Sequence, residues 1–489
     1  MSQSPTVGID ALHFYVPPLY LPIEALAEAR DIAYPKLNKG LGLENMAVPD
    51  ADEDVVTFAA EAAARLIDTQ EWAPRKIRKL FLGTESAVDS SKPTATYVLE
   101  LLERYLEKEQ GPRCLRHCDA VDFTFACVGG VDALEAALHH VRHNPDQEAL
   151  VIATDLAQYD LGSGGEYTQG AGAVALRVSA NPRLLEMDAS TGVATESVGD
   201  FFKPRRNFQR TELLQAAAQL LGQELSGSEA AEKLATSEHP FWGFPGQVVE
   251  EFRHEPVFDG PYSNDCYQNR VKEALQHWES QQEPTAGTWR DRWRHLIFHL
   301  PYAFQARRMF LPLWLEALQK NDEVVPPEIQ SILSTLQDNP EDAASWKALR
   351  KSEAYGTFVA ARIAPSEKAS AQIGNMYSAS IFMALLSALD HHQAAGHALA
   401  GEEVGLLAYG SGSKSKVLSG HLAEDWAQQV RPLALQATLQ QRQAIDFKTY
   451  EALHTRDQQK PVGPQKRFAR NGRSTAENRE GYRLYVVNS

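Results

Sequence analysis

Apolar residues fall in short dense runs separated by polar, glycine-bearing stretches. Residues 7–16, VGIDALHFYV, carry β-branched and aromatic residues in partial alternation and predict a strand. Residues 23–30 predict a short helix, after which Pro35, Gly40 and Gly42 break the pattern. Residues 52–67 are alanine-rich with acids at the start, where the positive end of a helix dipole favours them. Residues 79–83 form a compact apolar run ending in glycine, the pattern of a buried strand, and the polar loop 84–93 follows. A second strand is predicted over 121–127, a small-residue helix over 128–138 and a third strand over 149–154, ahead of the glycine-dense stretch 161–175. Strand, helix and strand in alternation predict α/β layers.

The pattern changes over 204–250, where Pro204-Arg205-Arg206-Asn207 leads into a Leu/Ala/Gln helix and the aromatic stretch 239–246, readable as an insertion or a lid. Further strands are predicted over 295–299 and 404–409, and an apolar helix opens after Gln372-Ile373-Gly374-Asn375 and ends near Leu389. Residues 321–350 are acidic, proline-punctuated and helical, without chemistry of their own. The tail, 425–489, reads as a peripheral helix and a loose end. Both halves of the chain end in a strand with a glycine-rich loop, a hint of duplication.

Composition narrows the function classes. The chain has 489 residues against roughly 100–200 per domain, and its 43% hydrophobic and 23% charged content suits a large core. Its net charge of −16 repels phosphate backbones and anionic membranes, so neither nucleic acid nor membrane is expected as a partner. The N-terminal pattern lacks a secretory signal, no apolar window is long enough to span a bilayer, and four cysteines suit a reducing cytoplasm, the expected location.

Three residues carry candidate chemistry. Cys127 lies at a strand-to-helix junction before Val128-Gly129-Gly130; there the thiolate is favoured by helix N–H groups, and the glycines would let a substrate approach the backbone. A buried structural cysteine fits the same local pattern. His299 ends an apolar run, and Glu85 follows the strand end at Gly83. Cysteine, histidine and glutamate on separate strand-end loops suit acyl transfer or Claisen condensation, although Cys–His pairing also suits hydrolases. No metal is expected: Cys114, His117 and Cys118 lack a second ligand pair. Residues 162–172 lack the Gly-Lys-Ser/Thr of a P-loop, Ser411-x-x-Lys414 is a chance-level match, and His391, His392 and His397 read as surface.

Taken together the motifs resemble the 3-hydroxy-3-methylglutaryl-CoA synthases, bacterial members especially. The resemblance rests on GTESAVDSSK (83–92), ACVGG (126–130), ATDLAQY (153–159), SGGEYTQGAGAVA (163–175), VFDGPYS (257–263), FHLP (298–301), QIGNMY (372–377) and YGSG (409–412), with GID (8–10) and KGLGLENMAV (39–48) ahead of them. It spans roughly residues 7–420.

That resemblance implies a thiolase-like fold: two similar α/β halves in a layered αβαβα arrangement, with an insertion and a C-terminal extension. The implied divisions are 1–180, a connecting region 181–250, a second half 251–424 and the extension 425–489. It implies a homodimer acting on acyl-CoA substrates without a cofactor. In the implied ping-pong reaction Cys127 holds an acetyl group, Glu85 removes a methyl proton, and His299 holds and protonates the ketone oxygen of acetoacetyl-CoA. Tyr159 and Asn375 would line the reacting centre, Thr168, Ser263 and Arg308 would contact the CoA ester, and the N–H groups of Cys127 and Ser411 would form the oxyanion hole. One departure stands out: many members carry a lysine five residues after the histidine, and this chain has Phe304 there, with Arg307 and Arg308 nearby. Relatives that act on carrier-protein-bound acyl chains can lack that lysine, so such an acceptor is the alternative.

Overall fold

A computed structural model describes residues 5–239, 242, 247–283, 287–320 and 325–488. The aromatic stretch 239–246, apart from residues 239 and 242, and the start of the acidic segment at 321–324 lie outside the described residues. The chain divides into a large unit, residues 1–200 with 260–489, and a small one, 201–259.

Nine strands of the large unit form one mixed sheet: β1 (Val7–Tyr15), β2 (Ile77–Gly83), β3 (Asp119–Phe123), β4 (Glu148–Ala157), β5 (Gly170–Ala180), β6 (Leu185–Thr195), β7 (Trp293–Phe298), β8 (Glu403–Gly410) and β9 (Lys414–Leu422). Five helices frame it: α1 (Val55–Thr69), α2 (Thr94–Gln110), α3 (Gly129–His143), α4 (Gly260–Ser280) and α5 (Ser380–Ala394). The strand order is β7-β8-β9-β6-β1-β5-β4-β2-β3.

This order contains a repeat. In the first half β2 and β4 are parallel, and β4–β5 and β5–β1 are antiparallel. In the second half β7 and β8 are parallel, and β8–β9 and β9–β6 are antiparallel. Helix α1 precedes β2 as α4 precedes β7, and α3 precedes β4 as α5 precedes β8. The halves join where β1 meets β6 at Gly8–Glu186 and Ile9–Leu185. These are the two similar α/β halves that the sequence suggests.

Strand alternation sets the layers, because successive side chains face opposite sides of a sheet. On β4, Leu150 and Ile152 pack with Leu80 and Leu82 of β2 against α1 and α2. Ala149, Val151 and Ala153 face the other way, into a core that α3 shares with α5. Both sheet faces are therefore buried, and the strands read as nearly continuous apolar runs. Helix α1 begins at Asp54, whose carboxylate accepts from the N–H of Val56 and Thr57 in a capping box.

Three local expectations change. Residues 34–41 form a helix instead of a break, since Pro35 occupies the first turn, where its missing N–H costs nothing, and Gly42 closes the end at φ +77°. Strand β3 stops at Phe123, four residues before Cys127, and Thr84 N–H donates to the Phe123 carbonyl across the gap. The tail is no loose end. Lys466 bridges Asp50 and Asp52, Tyr485 O–H donates to Asp54, and Phe468 is buried against α1. Its charges and aromatic residues find partners just ahead of α1 and on α2, hundreds of residues earlier.

The small unit holds two antiparallel strand pairs, Arg206–Gln209 with Val248–Glu251 and Phe201–Phe202 with Val257–Phe258, and helices Arg210–Leu220 and Gly227–Ala235. Among the described residues no helix is long and apolar enough to cross a membrane.

Candidate active site

The loops at the ends of β2, β4, β7 and β8 and those ahead of α3 and α5 supply the site. Cys127 is held two residues before α3 with φ +58°. A non-glycine residue in this left-handed region costs about 1–2 kcal/mol, and such strain persists where surrounding structure enforces it. Its Sγ lies 3.7 Å from Glu85 Oε1, and the cysteine is 8% exposed.

The glycines after Cys127 do a different task from the one their sequence suggests. A Cβ on Gly129 would sit 2.8 Å from the Phe123 carbonyl oxygen, and one on Gly130 would sit 2.8 Å from both the Ala153 methyl and the Ser378 carbonyl oxygen. They let α3 pack against β4 and the loop ahead of α5; the close approach is protein on protein. Gly410 acts similarly, since its Cβ would lie 1.8 Å from the Ala126 carbonyl oxygen. The loop carrying Ser411 is thereby pressed against the loop carrying Cys127.

Asp155, fully buried at the end of β4, ties the remaining loops together. Its Oδ1 accepts from Thr84 Oγ1 at 2.9 Å, Glu85 N at 2.9 Å and Ser86 Oγ at 2.8 Å; its Oδ2 accepts from Ser378 N at 3.0 Å and Ser378 Oγ at 2.5 Å. Burial raises its pKa, and the five donors pull the other way.

His299 follows β7 and is 1% exposed. The Tyr267 hydroxyl donates to its carbonyl at 2.5 Å, and the Tyr267 ring stacks on Tyr409 at 4.4 Å and on His299 at 6.2 Å. Burial lowers the imidazole pKa to about 3, so the ring is neutral near pH 7. Its Nδ1 has no hydrogen-bond partner among the described residues. Tyr267 lies within electrostatic range of Cys127.

Tyr159 lies beside Tyr377 and Thr168 and within electrostatic range of Cys127 and Glu85; burial pushes its phenol, like those of Tyr267 and Tyr377, above the usual range. Asn375 N–H donates to the Thr168 carbonyl, and its Oδ1 accepts from Tyr377 N and Ser380 Oγ, which sets the turn ahead of α5. A second buried carboxylate, Asp200, accepts from Ser263 Oγ at 3.0 Å, Tyr409 O–H at 2.9 Å and Gly412 N at 2.8 Å, with Ser263 Oγ 3.4 Å from Ser411 Oγ.

The structure thus brings together Glu85, Cys127, Tyr159, Thr168 and Asn375, with His299 joined through Tyr267 and Ser263 with Ser411 through Asp200. Arg308 is exposed beside the Tyr302 ring, and none of these hydrogen bonds reaches it. Arg307 does not offer the open charge its sequence suggests: it pairs with buried Glu367 and lies 3.9 Å over the Phe304 ring. His392 is buried, 4.5 Å from His295 and 2.7 Å from His397 Nδ1, contrary to the surface reading. Asp188, Glu403 and His421 gather ligand atoms within 4.8 Å, but Arg292 occupies both Glu403 oxygens. Sequence reasoning missed Asp155, Asp200, Tyr267, Tyr377 and Gly410; the first and last two lie inside the quoted motifs.

The internal repeat relates the site residues. Glu85 follows β2 as His299 follows β7, and Cys127 precedes α3 as Tyr377, at φ +42°, precedes α5.

Comparison with known proteins gives the family. Two family models match, hydroxymethylglutaryl-coenzyme A synthase N terminal over residues 3–182 and C terminal over 245–487. The chain is 29% identical over 464 residues to the hydroxymethylglutaryl-CoA synthase of Haloferax volcanii, covering 92% of this chain and 91% of that one. It is 28% identical to that of Enterococcus faecalis over 448 residues, with 92% and 91% covered. Among solved structures, MvaS in complex with 3-hydroxy-3-methylglutaryl coenzyme A is 30% identical with a TM-score of 0.75, over 99% of this chain and all of that one. The curacin biosynthetic pathway HMG synthase, at 22% identity and a TM-score of 0.70, shares the fold over 99% of this chain and all of its own. Two family models covering most of the sequence, with a full-length structural match at 30% identity, establish that this chain belongs to the hydroxymethylglutaryl-CoA synthase family.

Proposed function

We propose that the protein condenses acetyl-CoA with acetoacetyl-CoA to form HMG-CoA and free CoA, through an acetyl-Cys127 intermediate. The observation that carries this reading is the 3.7 Å approach of Glu85 Oε1 to Cys127 Sγ, with neutral His299 stacked on Tyr267, a ring within electrostatic range of Cys127. The Cys127 thiolate attacks the acetyl thioester carbonyl and releases CoA. Glu85 then removes a methyl proton, which the thioester acidifies, and the resulting carbanion equivalent adds to the acetoacetyl-CoA ketone. His299, neutral at rest, holds that ketone oxygen through an imidazole N–H and passes the proton as the alkoxide forms. Water hydrolyses the Cys127 thioester to release product. The N–H groups of Cys127 and Ser411, on loops that pack together at Gly410 and Ala126, would stabilise each oxyanion. Tyr159 and Asn375 would line the reacting carbon, and Thr168, Ser263 and Arg308 the CoA ester.

We read the chain as a cytoplasmic homodimer working without a metal or organic cofactor; its four cysteines are unbridged. The pairing of Arg307 with Glu367 beside Phe304 gives a specific reason to keep a second acceptor in view, a β-ketoacyl chain on a carrier protein.

The test is intact mass after brief incubation with acetyl-CoA, beside Cys127→Ala, followed by an acetoacetyl-CoA chase. A gain of about 42 Da, absent in the variant and discharged with HMG-CoA formed, is expected for covalent catalysis. Acetylation that persists through the chase moves the acceptor to the carrier-bound class. Absence of any adduct refutes the reaction.

A further inference from the structure

A cavity of about 270 Å³ lies between α1, the turn after β1 and the C-terminal extension, apart from the residues around Cys127. Its basic wall residues are Arg65, Arg442, Lys466 and Arg467, and its acidic ones Glu53 and Glu61. Three of the four cations are already neutralised: Arg65 by Glu61, Lys466 by Asp50 and Asp52, and Arg467 by Asp68 and Glu61. Arg442 differs. It is 8% exposed, donates only to the Leu439 and Gln372 carbonyls, and lies 5.0 Å over the Tyr20 ring. No carboxylate pairs with it among the described residues, and its Nη1 is buried without a hydrogen-bond partner.

We propose that this cavity is a binding site for a small polyanion, a di- or tricarboxylate or a phosphate ester, with Arg442 as its principal ligand. A buried guanidinium with no counter-charge is strongly unfavourable unless an anion completes the pair. Arg442 Nε and Nη2 already donate to carbonyls, which leaves Nη1 for the anion; a guanidinium N–H bonds carboxylate and phosphate oxygens alike, so both groups share the recognising chemistry. Burial lowers Arg442 only to about 10, so it stays charged near neutrality. Glu53 does not supply the missing charge: it is held by the Tyr15 hydroxyl and the Asp50 N–H, and burial raises it to about 7. The volume falls just under the roughly 300–1,000 Å³ typical of drug-sized ligands, which suits a small metabolite.

Calorimetric titration of the full-length protein with inorganic phosphate and, separately, citrate tests the proposal, at constant ionic strength with chloride as the balancing anion. Saturable binding of at least one probe is expected, weakened tenfold or more in Arg442→Met and in the cavity-filling Thr438→Trp, and unchanged in Arg116→Ala at an exposed site elsewhere. Preference for phosphate or citrate identifies which anion class the site takes. If Arg442→Met does not fold, Thr438→Trp decides. No saturable binding to the wild type, or binding that survives both cavity variants, overturns the proposal and leaves a water-filled space.

Discussion

Asp155→Asn should separate positioning from catalysis. Each carboxylate oxygen of Asp155 accepts one main-chain N–H, Glu85 N on Oδ1 and Ser378 N on Oδ2, besides the hydroxyl donors. An asparagine must turn its NH2 toward one of these sides. The hydroxyls can rotate to accept, but a backbone N–H cannot. One main-chain donor is therefore left facing another donor in a fully buried place. A charge-assisted bond contributes about 1.5–3 kcal/mol, and a stranded donor costs about 1–3 kcal/mol. Easier burial of a neutral amide offsets part of this, which leaves an expected destabilisation of about 2–4 kcal/mol. The larger effect falls on activity, because the displaced segment carries either Glu85 or the Tyr377–Ser378 turn. A shift of about 1 Å in a reacting group can cost on the order of 10²-fold in rate. The assay pairs a denaturant melt with kcat measured by CoA release. A kcat within twofold of wild type would refute the positioning role even if stability fell, and an unchanged midpoint as well would refute the hydrogen-bond argument itself.

Other consequences can be checked independently. Gly410→Ala places a methyl 1.8 Å from the Ala126 carbonyl oxygen, so the main chain must move; about 1–3 kcal/mol of stability and most of the Cys127 acetylation rate should be lost, read by denaturation and intact mass. Tyr267→Phe deletes the donor to the His299 carbonyl and should cost about 0.5–1.5 kcal/mol, with a lower kcat and little change in acetyl-CoA KM; an unaltered kcat would show that ring stacking alone holds the histidine. His13, His295 and His299 have pKa values lowered to about 4, 3 and 3 by burial, against 6.5 when unfolded. The unfolded chain therefore binds more protons below pH 6.5, so their contribution is complete above that value and lost as pH falls toward 3–4. Each histidine contributes up to about 1.4 kcal/mol per pH unit. Denaturant midpoints that stay flat from pH 7 to pH 5 would contradict these buried, neutral rings.

Much of the site was legible in the sequence because its parts are local. Strand ends at Gly83 and Phe298 place Glu85 and His299, and the small residues after Cys127 mark a tight junction with α3. Buried strands announce themselves by continuous apolar runs, since both faces of the sheet are covered. What Gly129 and Gly130 do was not legible: an absent side chain shows that something comes close, but only the fold shows that it is Phe123, Ala153 and Ser378. Asp155 and Asp200 were equally silent. A buried carboxylate and a solvated one look alike until donors from distant segments converge on it. The tail shows the same limit, for Lys466, Arg483 and Tyr485 meet their partners at Asp50, Asp52 and Asp54, more than 400 residues earlier.

The sequence by itself determined the α/β class and the family resemblance and singled out Glu85, Cys127 and His299 as the candidate reactive side chains, because periodicity and short motifs are properties of neighbouring residues. The tertiary structure alone decided that two halves share one strand order, so that Glu85 answers to His299 and Cys127 to Tyr377 across them. It also decided that Arg307 is spent on Glu367 while Arg442 has no counter-charge among the described residues. Charge pairing and burial depend on which surfaces meet in space, and in this chain those surfaces come from segments hundreds of residues apart.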